Sequence, residues 1–309
     1  MTAWAWAAKS QPAPALFEAI AKASVAQLPQ FGEMHVGLLG WAFAAADYPS
    51  DLLFDGRAGF VQQCELVASG PMCLNQLHQW QLYRDARATA GLSAWPPLSE
   101  ALRERCSANF FDLEGTPSLT QRAVRDVLVD VGAEDVREEV RTEQGWTLDL
   151  VLEWKGYTVA IEVDGPHHFL HGTRTLTGAT AYKRRSLRDF GTKLLPIPYF
   201  EWGALEEKER GPYLSKRLDD LILSAAWLDR CVQELTSHEP RAQGGLLEEE
   251  AEEEGEEAEA EGLLEEAEVE AEAEEQAVAA ASREPTDPRA LRRISRRRRR
   301  AEGRNKASN

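Results

Sequence analysis

Between residues 149 and 188 the sequence gathers side chains able to handle a phosphate ester. Asp149 stands in "TLDLVLEW", Glu162 and Asp164 in "YTVAIEVDGPHHF" with His167 and His168 directly behind, and Lys183, Arg184, Arg185 and Arg188 in "AYKRRSLRDF". Side chains alternate along a strand with period two, so Glu162 and Asp164 share one face, and Asp149 lies opposite Leu148 and Leu150 on its own strand. Pairing the two strands as a hairpin brings Asp149 toward Glu162. Two carboxylates and the Val163 carbonyl then make an oxygen-rich pocket suited to Mg²⁺. Such an ion activates water and offsets the charge that develops when a phosphodiester breaks.

The spacing D-x(12)-E-x-D has the outline of the PD-(D/E)xK nuclease site, with one departure. That pattern wants Lys two residues after Glu162, where this chain has Asp164. A third carboxylate repels a phosphate unless a metal intervenes. A helical wheel puts Lys183 on the side of Tyr182, Leu187 and Phe190, an unusual place for a charge without a partner, and Arg184, Arg185 and Arg188 on the other side. Lys183 reaching back to Glu162 or Asp164 is the candidate substitute; a lysine snorkelling past apolar neighbours is the plainer alternative. His167 and His168 could ligate metal, contact phosphate or bond a neighbouring carboxylate. Arg174, Lys183, Arg184, Arg185 and Arg188 suit a nucleic-acid backbone, and a solvated helix face explains them almost as well. In "PYFEW", Tyr199, Phe200 and Trp202 could stack on unpaired bases. Read as a continuing strand, that stretch sends Tyr199 and Glu201 one way and Phe200 and Trp202 the other.

The surrounding pattern predicts the elements that hold these residues. "TPSLTQRAVRDVLVDVG" is a helix with Thr120 as cap and Gly132 as stop. "VREEVRT", "WTLDLVLEW" and "YTVAIEVDG" are strands, the last two joined at Lys155-Gly156, a tight hairpin signal. "TLDLVLEW" alternates strictly, whereas the apolar run of "YTVAIEVDG" is that of a strand covered on both faces. A helix from about Ala179 to Phe190, a strand "TKLLPIPYFEW" and a final helix to about Leu228 follow. The order α-β-β-β-α-β-α describes a small three-layer α/β domain over residues 116–235.

Upstream, residues 1–115 read as helical. "AWAWAAKSQPAPALFEAI" superposes on "GWAFAAADYPSDLLFDGR" at an offset of 37, matching Trp4 to Trp41, Pro12 to Pro49 and Leu16-Phe17 to Leu53-Phe54. Ala-rich segments broken by Pro at such a period are the signature of stacked helical hairpins, and two units look like part of a longer array. "CLNQLHQWQLYRDA" is one amphipathic helix, and Ser99 caps another after Pro96-Pro97.

The 309 residues are 43% hydrophobic and 28% charged, enough for a packed core. The net charge of -17 belongs mainly to the end of the chain. Residues 246–276 hold 17 Glu; residues 283–309 hold ten Arg and one Lys against three acids, and setting both aside leaves about -8 on residues 1–245. Residues 236–309 therefore read as a disordered tail, Glu-rich and then Arg-rich, either a solvated appendage or a recruiter of protein partners. Cys64, Cys73, Cys106 and Cys231 form no CxxC pair and no zinc-ligand spacing. No window has the ~20 apolar residues of a membrane span, so no membrane partner is expected, and no transit peptide is visible after Met1.

"LDLVLEWKGYTVAIEVDGPHHF" followed by "TRTLTGATAYKRRSLRDFGTKLLPIPYFEWGAL" resembles the RAP domain of apicomplexan, algal, plant and animal organelle proteins. The motifs that carry it are E-V-D-G-P-x-H-F, T-x-x-K-R-R-x-L and I-P-Y-x-E-W. The upstream repeats and "QLHQW" resemble the octotricopeptide-type arrays that precede such domains in the green lineage. The resemblance implies a PD-(D/E)xK, restriction-endonuclease-like fold. It also implies binding of single-stranded organelle mRNA or rRNA in a chloroplast or mitochondrion, in transcript stability, processing, rRNA maturation or translation.

Three functions follow as expectations. The first is an RNA-binding protein that requires no cofactor and uses His167, His168, Arg174, Lys183, Arg184, Arg185 and Arg188. The second is an endoribonuclease in which Asp149, Glu162, Asp164 and Lys183 are catalytic, with Mg²⁺ on Asp149 and Glu162. The third is an interaction scaffold acting through the charged tail.

Overall fold

Apolar residues at helical spacing, interrupted by Pro and Gly, divide the first part of the chain into seven helices in the computed structural model, which describes residues 2–111 and 117–237, with side chains to residue 224. They are α1 (Thr2–Ala8), α2 (Pro14–Gln27), α3 (Glu33–Ala45), α4 (Asp51–Phe54), α5 (Phe60–Val67), α6 (Pro71–Thr89) and α7 (Glu100–Phe111). The expected boundary at 115/116 and the tail from 238 onward lie outside the described residues.

Helix α3 is the hub of this region. Its Gly37 and Gly40 meet α6 so closely that a Cβ would lie 3.2 Å from Cys73 and from the Trp80 ring. Phe17 and Phe54, the residues superposed by the 37-residue offset, are both buried, whereas Trp4 is 42% exposed and its counterpart Trp41 only 7%. Leu98 and Leu102 are buried and the Ser99 hydroxyl accepts the Leu102 N–H, so α7 starts where its cap predicts.

The second part is built on a sheet of order β1-β2-β3-β4, with β1 (Glu134–Arg141), β2 (Thr147–Trp154), β3 (Tyr157–Asp164) and β4 (Leu194–Pro198). The first three strands form an antiparallel meander, and β4 runs parallel to β3 after a helical crossover. Lys155 and Gly156 both take positive φ, 50° and 82°, as a two-residue hairpin turn requires. Helices α8 (Leu119–Asp130) and α11 (Glu207–Ser237) cover one face, over Leu150, Leu152, Val159, Ile161, Val163, Leu195 and Ile197. Helix α9 (Gly178–Asp189) covers the other, and there Val151, Ala160 and Leu194 join one continuous core with Trp41, Trp80 and the helices of the first part. β3 is buried on both sides from Val159 to Asp164, the burial its apolar run predicts. Among the described residues no helix is long and apolar enough to cross a membrane.

Two details differ from the sequence expectation. Ser118, not Thr120, caps α8, because Ser118 and Gln121 exchange side-chain and backbone hydrogen bonds in a capping box. The stretch "YFEW" is a helical turn, α10 (Tyr199–Trp202), not an extension of β4. Parallel pairing ends at Asp164 with Pro198, where β3 itself stops, so the chain beyond has no strand to pair with. Trp202 consequently turns into the core and Tyr199 outward.

Helix α9 touches the first part at its own first residue. A Cβ on Gly178 would fall 1.8 Å from the Ala7 carbonyl oxygen at the end of α1. Alanine normally stabilises a helix relative to glycine by about 0.5–1 kcal/mol, so the sign of the effect reports the contact. Gly178→Ala should instead cost about 1–3 kcal/mol as overpacking. Thermal unfolding should show the melting temperature lowered by several degrees; an unchanged or higher value would mean that α1 does not press on α9.

Candidate functional site

Burial dictates the chemistry of this site. Glu162 and Asp164 lie on β3 beneath α9 and retain 3% and 1% of their surface. A carboxylate taken out of water this far requires a cation or donors. Lys183 supplies Nζ at 2.6 Å from Glu162 Oε2, and Arg184 forms an ion pair with Asp164 Oδ2. The cation that the nuclease-like spacing lacks on β3 is thus delivered from α9. One oxygen of each acid, Glu162 Oε1 and Asp164 Oδ1, has no hydrogen-bond partner.

Asp149 comes from β2, and its Oδ2 accepts the Val163 N–H at 2.7 Å. The hairpin register sets Leu150 against Ile161 and so carries Asp149 to the Glu162 end of β3. Gly165-Pro166 then turns the chain into a short 3-10 segment, Pro166–His168. His168 Nδ1 lies 3.1 Å from Thr180 Oγ1 and 3.7 Å from Asp164 Oδ1, and its ring centroid is 4.1 Å from that of exposed His167.

These groups line a cleft of about 510 Å³ that holds Asp149, Asp164, His167, His168 and Lys183 together with Tyr199. Glu139 of β1 lines it too, with φ of 50° and a bond from Gln121 Nε2 at 3.2 Å. Sequence reasoning missed Glu139. "VREEVR" offers two adjacent acids, and only pairing of β1 with β2 distinguishes the one beside Asp149.

The remaining cations go elsewhere. Arg185 donates to the carbonyls of Ala44 and Ala45, neutralising the C-terminal end of α3, and stacks 5.2 Å from the Tyr182 ring. Arg188 is exposed. Arg174 is exposed and lies 4.7 Å over the Phe200 ring, which packs with Phe169 and Tyr199 at the edge of the cleft. The helical wheel set Arg184, Arg185 and Arg188 on the polar side, as a nucleic-acid contact or a solvated face; Arg188 is exposed there, whereas Arg184 is taken up by Asp164 and Arg185 by the end of α3.

Protonation follows from the same burial. Desolvation pushes Glu162 up to about 7, against the opposing pull of Lys183, and raises Asp149, Asp164 and Glu139 above the ordinary carboxylate range. Desolvation, then the neighbouring His167, lowers His168 to about 4, so that imidazole is neutral at physiological pH. Among the described residues no three His, Cys, Asp or Glu side chains are placed to hold a metal ion. Asp149 and Glu162 offer hard oxygen donors, and Mg²⁺ bound through one or two carboxylates keeps several waters.

A carboxyl whose folded pKa exceeds its unfolded value binds more protons when folded, so its contribution falls as pH rises from about 4.5 to about 7. Lys183 limits that loss. Lys183→Met should destabilise the protein by about 3–5 kcal/mol where Glu162 is ionised, and the deficit should shrink as pH falls below about 7 and Glu162 takes up a proton. Urea unfolding at pH 5.5 and 8.5 checks this; an equal deficit at both would mean that the pair is electrostatically unimportant.

Comparison with known proteins bears on these same residues. Residues 161–217, from β3 into α11, match the family model of the RAP domain. A chloroplastic RAP domain-containing protein of Oryza sativa subsp. japonica is 35% identical over 122 residues, 39% of this chain and 18% of that protein. The mitochondrial FAST kinase domain-containing protein 3 of Rattus norvegicus is 32% identical over 87 residues, 28% of this chain and 13% of that protein. The chain thus spans less than a fifth of either relative.

Proposed function

We propose, on the premise that this chain carries a RAP domain over residues 161–217, that it is an RNA-binding protein of organelle RNA metabolism, acting in transcript stability, processing, rRNA maturation or translation. The observation that carries this reading is the cleft beside the Arg174–Phe200–Tyr199 cluster. An exposed guanidinium stacked on an aromatic ring, with a second ring exposed beside it, gives a single strand both a phosphate contact and a surface for unpaired bases. The names of the two relatives, one chloroplastic and one mitochondrial, support an organelle as the place of action. No cofactor is needed for binding of this kind.

A second reading rests on Lys183. Its ammonium lies 2.6 Å from Glu162, and it would substitute for the lysine that a PD-(D/E)xK-type site carries at the position of Asp164, reaching a scissile phosphate if Mg²⁺ took Asp149 and Glu162. The restriction-endonuclease-like fold belongs with this reading, since the same sheet and flanking helices would carry that site.

Incubating purified protein with end-labelled single-stranded RNA tests both readings. Binding should weaken with salt, and Arg174→Gln and Arg188→Gln should each reduce affinity and lower the salt slope by about 0.7 to 1. Affinity indifferent to salt would overturn RNA binding. With Mg²⁺ or Mn²⁺ added, products that vanish in Asp149→Ala and Glu162→Ala would establish cutting, and a gel without products would remove it.

A further inference from the structure

Four carboxylates gather at the acidic cleft, and among the described residues only two of them face a cation. Lys183 pairs with Glu162 and Arg184 with Asp164. Asp149 and Glu139, which line the cleft, accept hydrogen bonds from neutral donors, the Val163 N–H and the Gln121 side-chain amide. Asp149 and Glu139 repel one another, and Asp164 adds to the repulsion on Asp149. Residues 112–116 carry Asp112 and Glu114 and no basic side chain, so they add no cation wherever they lie.

An independent observation points into the same space. Asp164 lines the cleft and keeps 1% of its surface, yet its Oδ1 receives no hydrogen bond. His168 Nδ1 stands 3.7 Å away, too far for one. A buried carboxylate oxygen without a donor is costly, and a donor that enters the cleft removes the cost.

Three features select among cations. No three His, Cys, Asp or Glu side chains among the described residues are placed to hold a metal ion. The cleft, at about 510 Å³, admits a whole side chain with its stem. Tyr199 lines it with a ring that is 40% exposed. The ring beside it already takes a guanidinium: Arg174 lies 4.7 Å over Phe200, whose centroid is 5.4 Å from that of Tyr199. A guanidinium offers five donors in a planar fork and stacks on a ring, whereas an ammonium acts as a point charge.

We infer that the acidic cleft receives an arginine side chain of a protein partner, its guanidinium held by Asp149 and Asp164 Oδ1 and its plane against Tyr199. One guanidinium leaves Glu139 over, so the partner segment carries more than one arginine. The inference goes beyond the RNA-binding reading. It gives acids that repel a phosphate an occupant that they attract.

The test uses the full chain with tetra-arginine as the probe and tetra-lysine as a probe of equal charge. NMR signals of His167, His168 and Tyr199 report the cleft, whatever peptide the Glu-rich residues 246–276 take up. Tetra-arginine should shift these signals at about 0.15 M salt, and tetra-lysine should need about tenfold more. Asp149→Asn should raise the half-saturating concentration of tetra-arginine about tenfold, as loss of a charged hydrogen-bond partner does. Tyr199→Leu, at an exposed position that leaves the core alone, should raise it several-fold. Glu207→Gln with Asp220→Asn, both exposed on α11, should leave it unchanged. Equal response to the two peptides, or an equal loss in the α11 variant, would reduce the cleft to a patch of negative charge and overturn the inference. It is also overturned if tetra-arginine leaves the three signals in place, or if Mg²⁺ at constant ionic strength shifts them and abolishes the response to the peptide. Binding of labelled RNA is read in a separate titration, so either reading can fail without the other.

Discussion

The structure depends on the burial of two carboxylates on a strand covered from both sides. β3 has pairing partners on both edges and carries Glu162 and Asp164 beneath a helix, so both are cut off from bulk water. Consecutive residues of α9, Lys183 and Arg184, answer them. Two cations adjacent in a helix point about 100° apart, and the acids they reach are two residues apart on one face of β3. That match fixes both the rotation of α9 and its height along the strand. A buried pair of this kind contributes little net stability against an apolar alternative; its consequence is register.

Once α9 is fixed in this way, the helical region follows. Tyr182, between the apolar side of α9 and the Trp146 ring, donates its hydroxyl to the Gln79 carbonyl at 2.5 Å, and Arg185 bonds the last carbonyls of α3. Gly178 lets α1 approach the start of the same helix. One helix of twelve residues thus clamps the acids with one side and receives α1, α3 and α6 with another.

Much of this was legible in the sequence wherever the signal was local. The Lys155-Gly156 turn, the burial of β3 and the shared side of Asp149 and Glu162 follow from period-two alternation and from two residues that accept positive φ. Lys183 stood out because a charge on the apolar side of a helix implies a partner. What stayed hidden depends on tertiary pairing. Tyr199 to Trp202 read as strand because alternation is indifferent to whether a neighbouring strand continues. Arg184 and Arg185 read as a nucleic-acid contact or a solvated face because a helical wheel separates polar from apolar and cannot tell a phosphate or water from a buried acid or a helix end. Glu139 was placed by the pairing of β1 with β2 and by a bond from Gln121, 18 residues away, and Trp41, Phe110 and Trp146 by contacts across more than thirty residues, for which a single sequence carries no periodic signal.

The division of charge in the cleft bears on gripping against cutting. Lys183 and Arg184 are spent on Glu162 and Asp164, so the row of cations in "KRRSLR" offers a phosphate much less than its count implies. Where carboxylates remain, an RNA backbone meets repulsion unless a divalent ion intervenes. Asp164 stands in the position where a nuclease of this outline carries lysine: it takes up Arg184 and keeps the cleft acidic where that pattern would make it basic.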